Sequence, residues 1–280
     1  MQRYLIKSIN GMPAIDGAGV ELVRMIGQPA LDMLDPFLLL DAFRSDNPDD
    51  YIAGFPSHPH RGFETVTYLL NGRMRHKDNA GHEGVIEPGG IQWMTAGRGI
   101  IHSEMPEQQD GLLEGFQLWI NLPSSNKMDD PVYQEFSADK IPVEQRNGTE
   151  VRVITGITSE GTRGPVVQAL TQPLYLDVNL PPGQKFIEPV EHTHNAFIYG
   201  IEGETVLNDI AGQAHSIKKD QLAVLSKGNE IALTAGPLGS RFLFVSGKPL
   251  NEPVARGGPF VMNFNSEIVQ AIADYQAGNF

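Results

Sequence analysis

A chain of 280 residues with 40% hydrophobic side chains has room for one large domain or two ordinary ones, and carries no compositional sign of disorder. Its 34 acidic and 21 basic side chains give a formal net charge of −13, a field that repels phosphate backbones and anionic membranes and so disfavours direct contact with nucleic acid or a membrane surface. With no cysteine, disulfides, thiolate zinc sites and iron–sulfur clusters are excluded, and any metal must be held by nitrogen and oxygen.

In chain order, the first dozen residues carry Arg3 and Lys7 but no long apolar run. Neither a signal peptide nor a membrane span is read there, and a soluble cytoplasmic protein is expected. Strand-like runs follow from residue 19 to 122, among them Val20-Glu21-Leu22-Val23-Arg24-Met25-Ile26, Thr65-Val66-Thr67-Tyr68-Leu69-Leu70 and Phe116-Gln117-Leu118-Trp119-Ile120, separated by glycine, asparagine and proline. His76 and His82 flank a hairpin-like turn and read as solvated loop side chains. The polar, proline-flanked stretch at 123–131 reads as the passage from one barrel to the next, giving domains 1–130 and 131–280. A second strand series then takes in Val151-Arg152-Val153-Ile154, Leu174-Tyr175-Leu176-Asp177-Val178 and Phe242-Leu243-Phe244-Val245. One helix is predicted over 266–277, with Ile268, Ala271, Ile272 and Tyr275 at helical spacing, Asn265 as its cap and Gly278 as its end. The fold class is therefore all-β, two barrels with a C-terminal helix lying on a barrel surface. An echo of His58-Pro59-His60-Arg61-Gly62-Phe63 in His192-Thr193-His194-Asn195-Ala196-Phe197 suggests that the halves arose by duplication.

Side chains two apart on a strand share a face and can offer two ligands to one point. His58 and His60 have this spacing, as do His102 and Glu104, so two such pairs on facing strands would bring three imidazoles and one carboxylate together. Pro59 stiffens the first pair by fixing its own φ and holding His58 extended. A lone histidine is usually a surface or hydrogen-bonded filler; four donors in two same-face pairs point instead to one divalent metal. Four positions filled on an octahedral ion leave two open for substrate, dioxygen or water. Fe(II) is the first expectation, with Ni, Cu, Mn and Zn compatible with the same donors. His192 and His194 find no matching histidine near Asn229-Glu230-Ile231-Ala232-Leu233-Thr234, so the second barrel is expected to be a degenerate copy.

The segments Pro56-Ser57-His58-Pro59-His60-Arg61-Gly62-Phe63-Glu64-Thr65-Val66-Thr67-Tyr68 and Gln92-Trp93-Met94-Thr95-Ala96-Gly97-Arg98-Gly99-Ile100-Ile101-His102-Ser103-Glu104-Met105-Pro106 resemble the pirin family of the cupin superfamily. Two shorter runs carry the same likeness, Asp35-Pro36-Phe37-Leu38-Leu39-Leu40-Asp41 and Gln117-Leu118-Trp119-Ile120-Asn121-Leu122-Pro123. The resemblance implies two cupin (double-stranded β-helix, or jelly-roll) barrels and a single non-haem iron at His58, His60, His102 and Glu104. Some pirins are quercetin 2,3-dioxygenases, which open a flavonol ring with dioxygen, whereas nuclear animal members are transcriptional coregulators. Two functions follow as expectations. One is a metal-dependent dioxygenase acting on a small phenolic substrate and O2, with Glu104 as the catalytic proton acceptor. The other is a metal-bearing regulatory module acting through a protein partner. Glu64 is read as a hydrogen-bonding neighbour of the site, and Phe55, Met74, Trp93 and Trp119 as candidate pocket walls. Gln117 and Arg24 either face solvent or reach inward.

Overall fold

Short runs of alternating polarity become strands almost throughout the computed structural model, which describes residues 1–280 and ends in one α-helix. The all-β expectation holds, and each strand run named above lies within an observed strand. No helix is long and apolar enough to cross a membrane.

The chain divides into two compact units, each assembled from three stretches: Met1–Met12, Gln28–Pro36 and Asp139–Pro249 form one, and Pro13–Gly27, Phe37–Ala138 and Leu250–Phe280 the other. A single cut at residue 130 therefore does not describe the units. The strand Val132–Phe136 pairs antiparallel with Ile91–Thr95, which carries the unit built around Phe37–Ala138 past the expected boundary. The opening strand Leu5–Asn10 pairs with Gln221–Leu225 and so belongs to the unit built around Asp139–Pro249. Each end of the chain is used by the unit built from the opposite half.

The histidine-bearing unit has two facing sheets. One has seven strands in the order Val132–Phe136, Ile91–Thr95, Phe63–Asn71, Leu113–Asn121, Phe37–Ser45, Val20–Ile26, Met12–Asp16, and the other has four, Phe55–His60, Ile100–Pro106, Met74–Asp78, Glu83–Ile86. One end of the space between them is filled by Val20, Leu22, Phe43, Leu69, Met74, Ile86 and Leu113. Phe55–His60 lies at the edge of its sheet, where Pro59 can lack an N–H without breaking a ladder on both sides.

The C-terminal helix spans Asn265–Gln276 and belongs to this same unit, where Ile268 and Ala271 pack with Ala255, Phe260 and Met262. Asn265 is not its cap. Instead Glu267 accepts hydrogen bonds from the Phe264 N–H (2.8 Å) and the Asn263 N–H (3.0 Å), satisfying donors that a helix start leaves free. Gly278 ends the helix as expected, with φ +74°.

The other unit is a nine-stranded sheet whose interior is apolar: Val151, Val153, Leu176, Val178, Phe186, Ile198, Leu233, Phe242 and Phe244 are among the side chains that fill it. The echo of the histidine pair sits here, but His192 and His194 lie in the turn before the strand Asn195–Asn208, so strand alternation does not align them. His192 is exposed and hydrogen-bonds Asn229 Oδ1 (3.1 Å) through Nδ1.

Candidate metal centre

His58 and His60 share a face of the edge strand Phe55–His60, and the antiparallel register sets His102 directly opposite His58. The three imidazoles bring ligand nitrogens within 4.8 Å of one another. His58 Nε2 and His60 Nε2 are 2.9 Å apart, and the His58 and His60 rings stand 4.5 and 5.0 Å from the His102 ring, centroid to centroid. His58 Nδ1 donates to the Pro56 carbonyl at 2.8 Å, which leaves its Nε2 lone pair facing the centre. Burial, then repulsion from His102 and His58, holds His60 well below the ordinary imidazole range. Burial likewise pushes His102 down to about 4, against the pull of Glu104. Both rings are neutral near pH 7, the state in which imidazole binds a metal.

His102 is 1% exposed, yet neither of its ring nitrogens has a hydrogen-bond partner. An orphaned buried polar atom costs about 1–3 kcal/mol, and a cation taking the lone pair would relieve one of the two nitrogens. Adjacent nitrogens on an ion with bonds near 2.1 Å lie about 3 Å apart, in keeping with the His58–His60 separation. The residues present fit a metal ion.

Glu104 stands apart from this trio. A register shift between His102 and Glu104 sets Glu104 opposite Phe55 on one side, and His76 faces it on the other. The carboxylate is 3% exposed and held firmly: Thr67 Oγ1 donates to Oε1 (2.7 Å), and Gln117 Nε2 donates to Oε1 (3.3 Å) and Oε2 (3.1 Å).

Thr67 and Gln117 belong to a polar row across the inner face of the seven-stranded sheet. Successive pairings place Arg24, Asp41, Gln117, Thr67, Gln92 and Glu135 side by side on six strands. Arg24 donates to both Asp41 oxygens (2.9 and 2.6 Å) and Gln92 to Glu135 (3.1 Å), while His76 Nε2 meets Glu135 at 2.6 Å. Arg24 and Gln117 thus both point inward. His76 corrects its sequence reading: it is 4% exposed on the strand Met74–Asp78, whereas His82 is the solvent-facing side chain expected.

A cavity of about 700 Å³ opens over the centre, with Phe55, His58, His60, Glu104, Gln117 and Trp119 among its walls. Met74 is not among them, being sealed in the apolar end of the barrel. Trp93 is fully buried on the opposite face of its strand from Gln92. Glu64 does hydrogen-bond, accepting from Thr95 Oγ1 at 2.7 Å, but alternation turns it to the face opposite Thr65 and Thr67.

Residues 19–120 match the family model Pirin, and residues 175–280 match the model Pirin C-terminal cupin domain. A pirin-like protein of Caulobacter vibrioides is 50% identical, with 99% of both chains covered. Pirin of Homo sapiens is 45% identical over 93% of this chain and 88% of its own. A crystal structure of quercetin 2,3-dioxygenase from Acinetobacter baumannii superposes with a TM-score of 0.90 at 35% identity, covering 100% of this chain and 99% of that one. With its histidine-bearing barrel and its apolar companion, this chain belongs to the pirin family of cupin proteins.

Proposed function

We propose that His58, His60, His102 and Glu104 hold one divalent metal ion, Fe(II) first among Fe, Ni, Cu, Mn and Zn, and that the site opens a flavonol ring with O2 in the manner of a quercetin 2,3-dioxygenase. The observation that carries this reading is the convergence of three imidazoles, two of them forced neutral by burial, beside a large cavity with an aromatic wall. The name of the Acinetobacter baumannii structure supports it.

An ion there supplies Lewis-acid and one-electron chemistry toward a phenolic substrate and dioxygen. The protein supplies position and a proton acceptor. Trp119 and Phe55 line the cavity and give a flat ligand an aromatic wall. Glu104 Oε1 already accepts from Thr67 and Gln117, whereas Oε2 accepts only from Gln117, so Oε2 is the oxygen that would face the ion and would take a substrate hydroxyl proton only on leaving it. Pro56 keeps His58 in one tautomer throughout.

Oxygen uptake decides the matter: iron-loaded wild-type protein is expected to consume O2 in the presence of quercetin, and His102→Ala to abolish both uptake and metal retention. Metal-dependent capture of a protein partner without oxygen uptake would instead identify a regulatory module.

A further inference from the structure

Gln117 has a second polar atom that the protein itself does not use. Its Nε2 has three acceptors, Thr67 Oγ1 at 3.1 Å and the two Glu104 oxygens. The opposite amide orientation would turn Oε1 onto an acceptor-only carboxylate, so the assignment is fixed by chemistry. Oε1 is left buried with no hydrogen-bond partner, in a side chain that lines the cavity. No neighbour supplies a donor. Thr67 spends its hydroxyl proton on Glu104, and the cross-strand neighbour Asp41 offers only oxygens, which Arg24 occupies.

The geometry points to Gln117 as the specificity-determining residue of the cavity: its Oε1 accepts a hydrogen bond from a hydroxyl group of the bound ligand. The inference rests on the reading of this cavity as the site of a small phenolic ligand, and it names the group that is read. The ligand class is a hydroxyarene, and an O-methylated analogue should be rejected. Sites built to pair a substrate hydroxyl reject the analogue lacking it more strongly than apolar walls reject a change of size, because the unpaired protein group stays buried. Gln117 acts here by contact with substrate, while its amide nitrogen steadies Glu104 from the other side.

The test measures binding of phenol and of anisole, and of quercetin beside its O-methylated analogues, to metal-loaded wild type, Gln117→Met and Thr67→Val, with metal content determined for each. Wild type is expected to prefer phenol over anisole about tenfold, and Gln117→Met less than twofold at equal metal content. Thr67→Val disturbs the same carboxylate without removing the acceptor, so it should keep the preference. An undiminished preference in Gln117→Met overturns the inference, as does its loss in both variants alike. If quercetin is neither bound nor consumed while the phenol preference still depends on Gln117, the flavonol reading fails and this one stands. Should Gln117→Met not fold, a crystal of the wild type soaked with phenol decides: the phenol oxygen within hydrogen-bond distance of Oε1 supports the inference, and an oxygen elsewhere overturns it.

Discussion

Glu104 is fixed from two strands by a hydroxyl and an amide, and the energetic weight of that arrangement is testable one atom at a time. Thr67→Val keeps the side-chain shape and removes the 2.7 Å donor. Partners that orient a ligand-bearing group typically contribute 10–100-fold, so turnover is expected to fall about tenfold with metal content retained, as measured by steady-state oxygen uptake beside elemental analysis. His58→Ala should instead empty the site, because it removes one nitrogen of the closest pair and the ring tied to Pro56. The convergence of His58, His60 and His102 was legible in the sequence because period-two spacing is local information. Thr67, Asp41, Gln92 and Glu135 were not. Each is an ordinary polar residue in a strand-like run, and what aligns them is register between strands up to tens of residues apart. His76 escaped for a related reason: the turn that follows it is polar, but the strand that carries it is buried.

Among the elements, the stretch at 123–131 departs most from its sequence reading. Polar and proline-flanked, it has the composition of a linker, yet Lys127 is 1% exposed and its ammonium donates to Gly62 O (2.7 Å), Asn121 Oδ1 (2.6 Å) and Val261 O (3.0 Å). The lysine ties the turn after His60 and the end of the strand Leu113–Asn121 to the C-terminal stretch of the same unit. Lys127→Met would leave three buried acceptors without a donor, and urea unfolding at pH 7 should show a loss of about 2 kcal/mol. Burial pushes this ammonium down to about 8. Between that value and the ordinary 10.5, the unfolded lysine keeps a proton that the folded one has released, so wild-type stability contributed by this group rises with pH across the window. Unfolding repeated at about pH 9.5 should therefore widen the gap between wild type and Lys127→Met. Gly62 beside it has φ +87°, and a Cβ there would lie 2.0 Å from Val261 O. Gly62→Ala is expected to lower the melting temperature by more than an ordinary surface change, since both the backbone angle and the contact oppose it.

For the molecule as a whole, strand content and the two-barrel plan could be read from the chain, but the assignment of its ends could not. Leu5–Asn10 and the C-terminal helix look local in sequence, and nothing in their composition says which barrel they complete. That choice is made by long-range contacts: Arg3 donates to the carbonyls of Gly228, Ser226, Glu191 and His194, and Arg61, one residue past the histidine pair, meets Asp274 at 2.7 Å and the Phe280 ring at 4.4 Å. A fragment of residues 1–130 lacks both Val132–Phe136 and everything that Arg61 binds near the C-terminus. It is expected to show no cooperative transition in urea and to retain no metal, whereas a polypeptide joining all three of that unit's stretches should unfold cooperatively and hold the ion.

Time enters through the same exchange of ends. Domains made on the ribosome ordinarily close in the order of their synthesis, but here the barrel that draws most of its strands from Phe37–Ala138 also takes in Leu250–Phe280, translated after every strand of its companion. The histidine-bearing barrel therefore waits, with most of its strands already made, until its companion's strands have all left the ribosome.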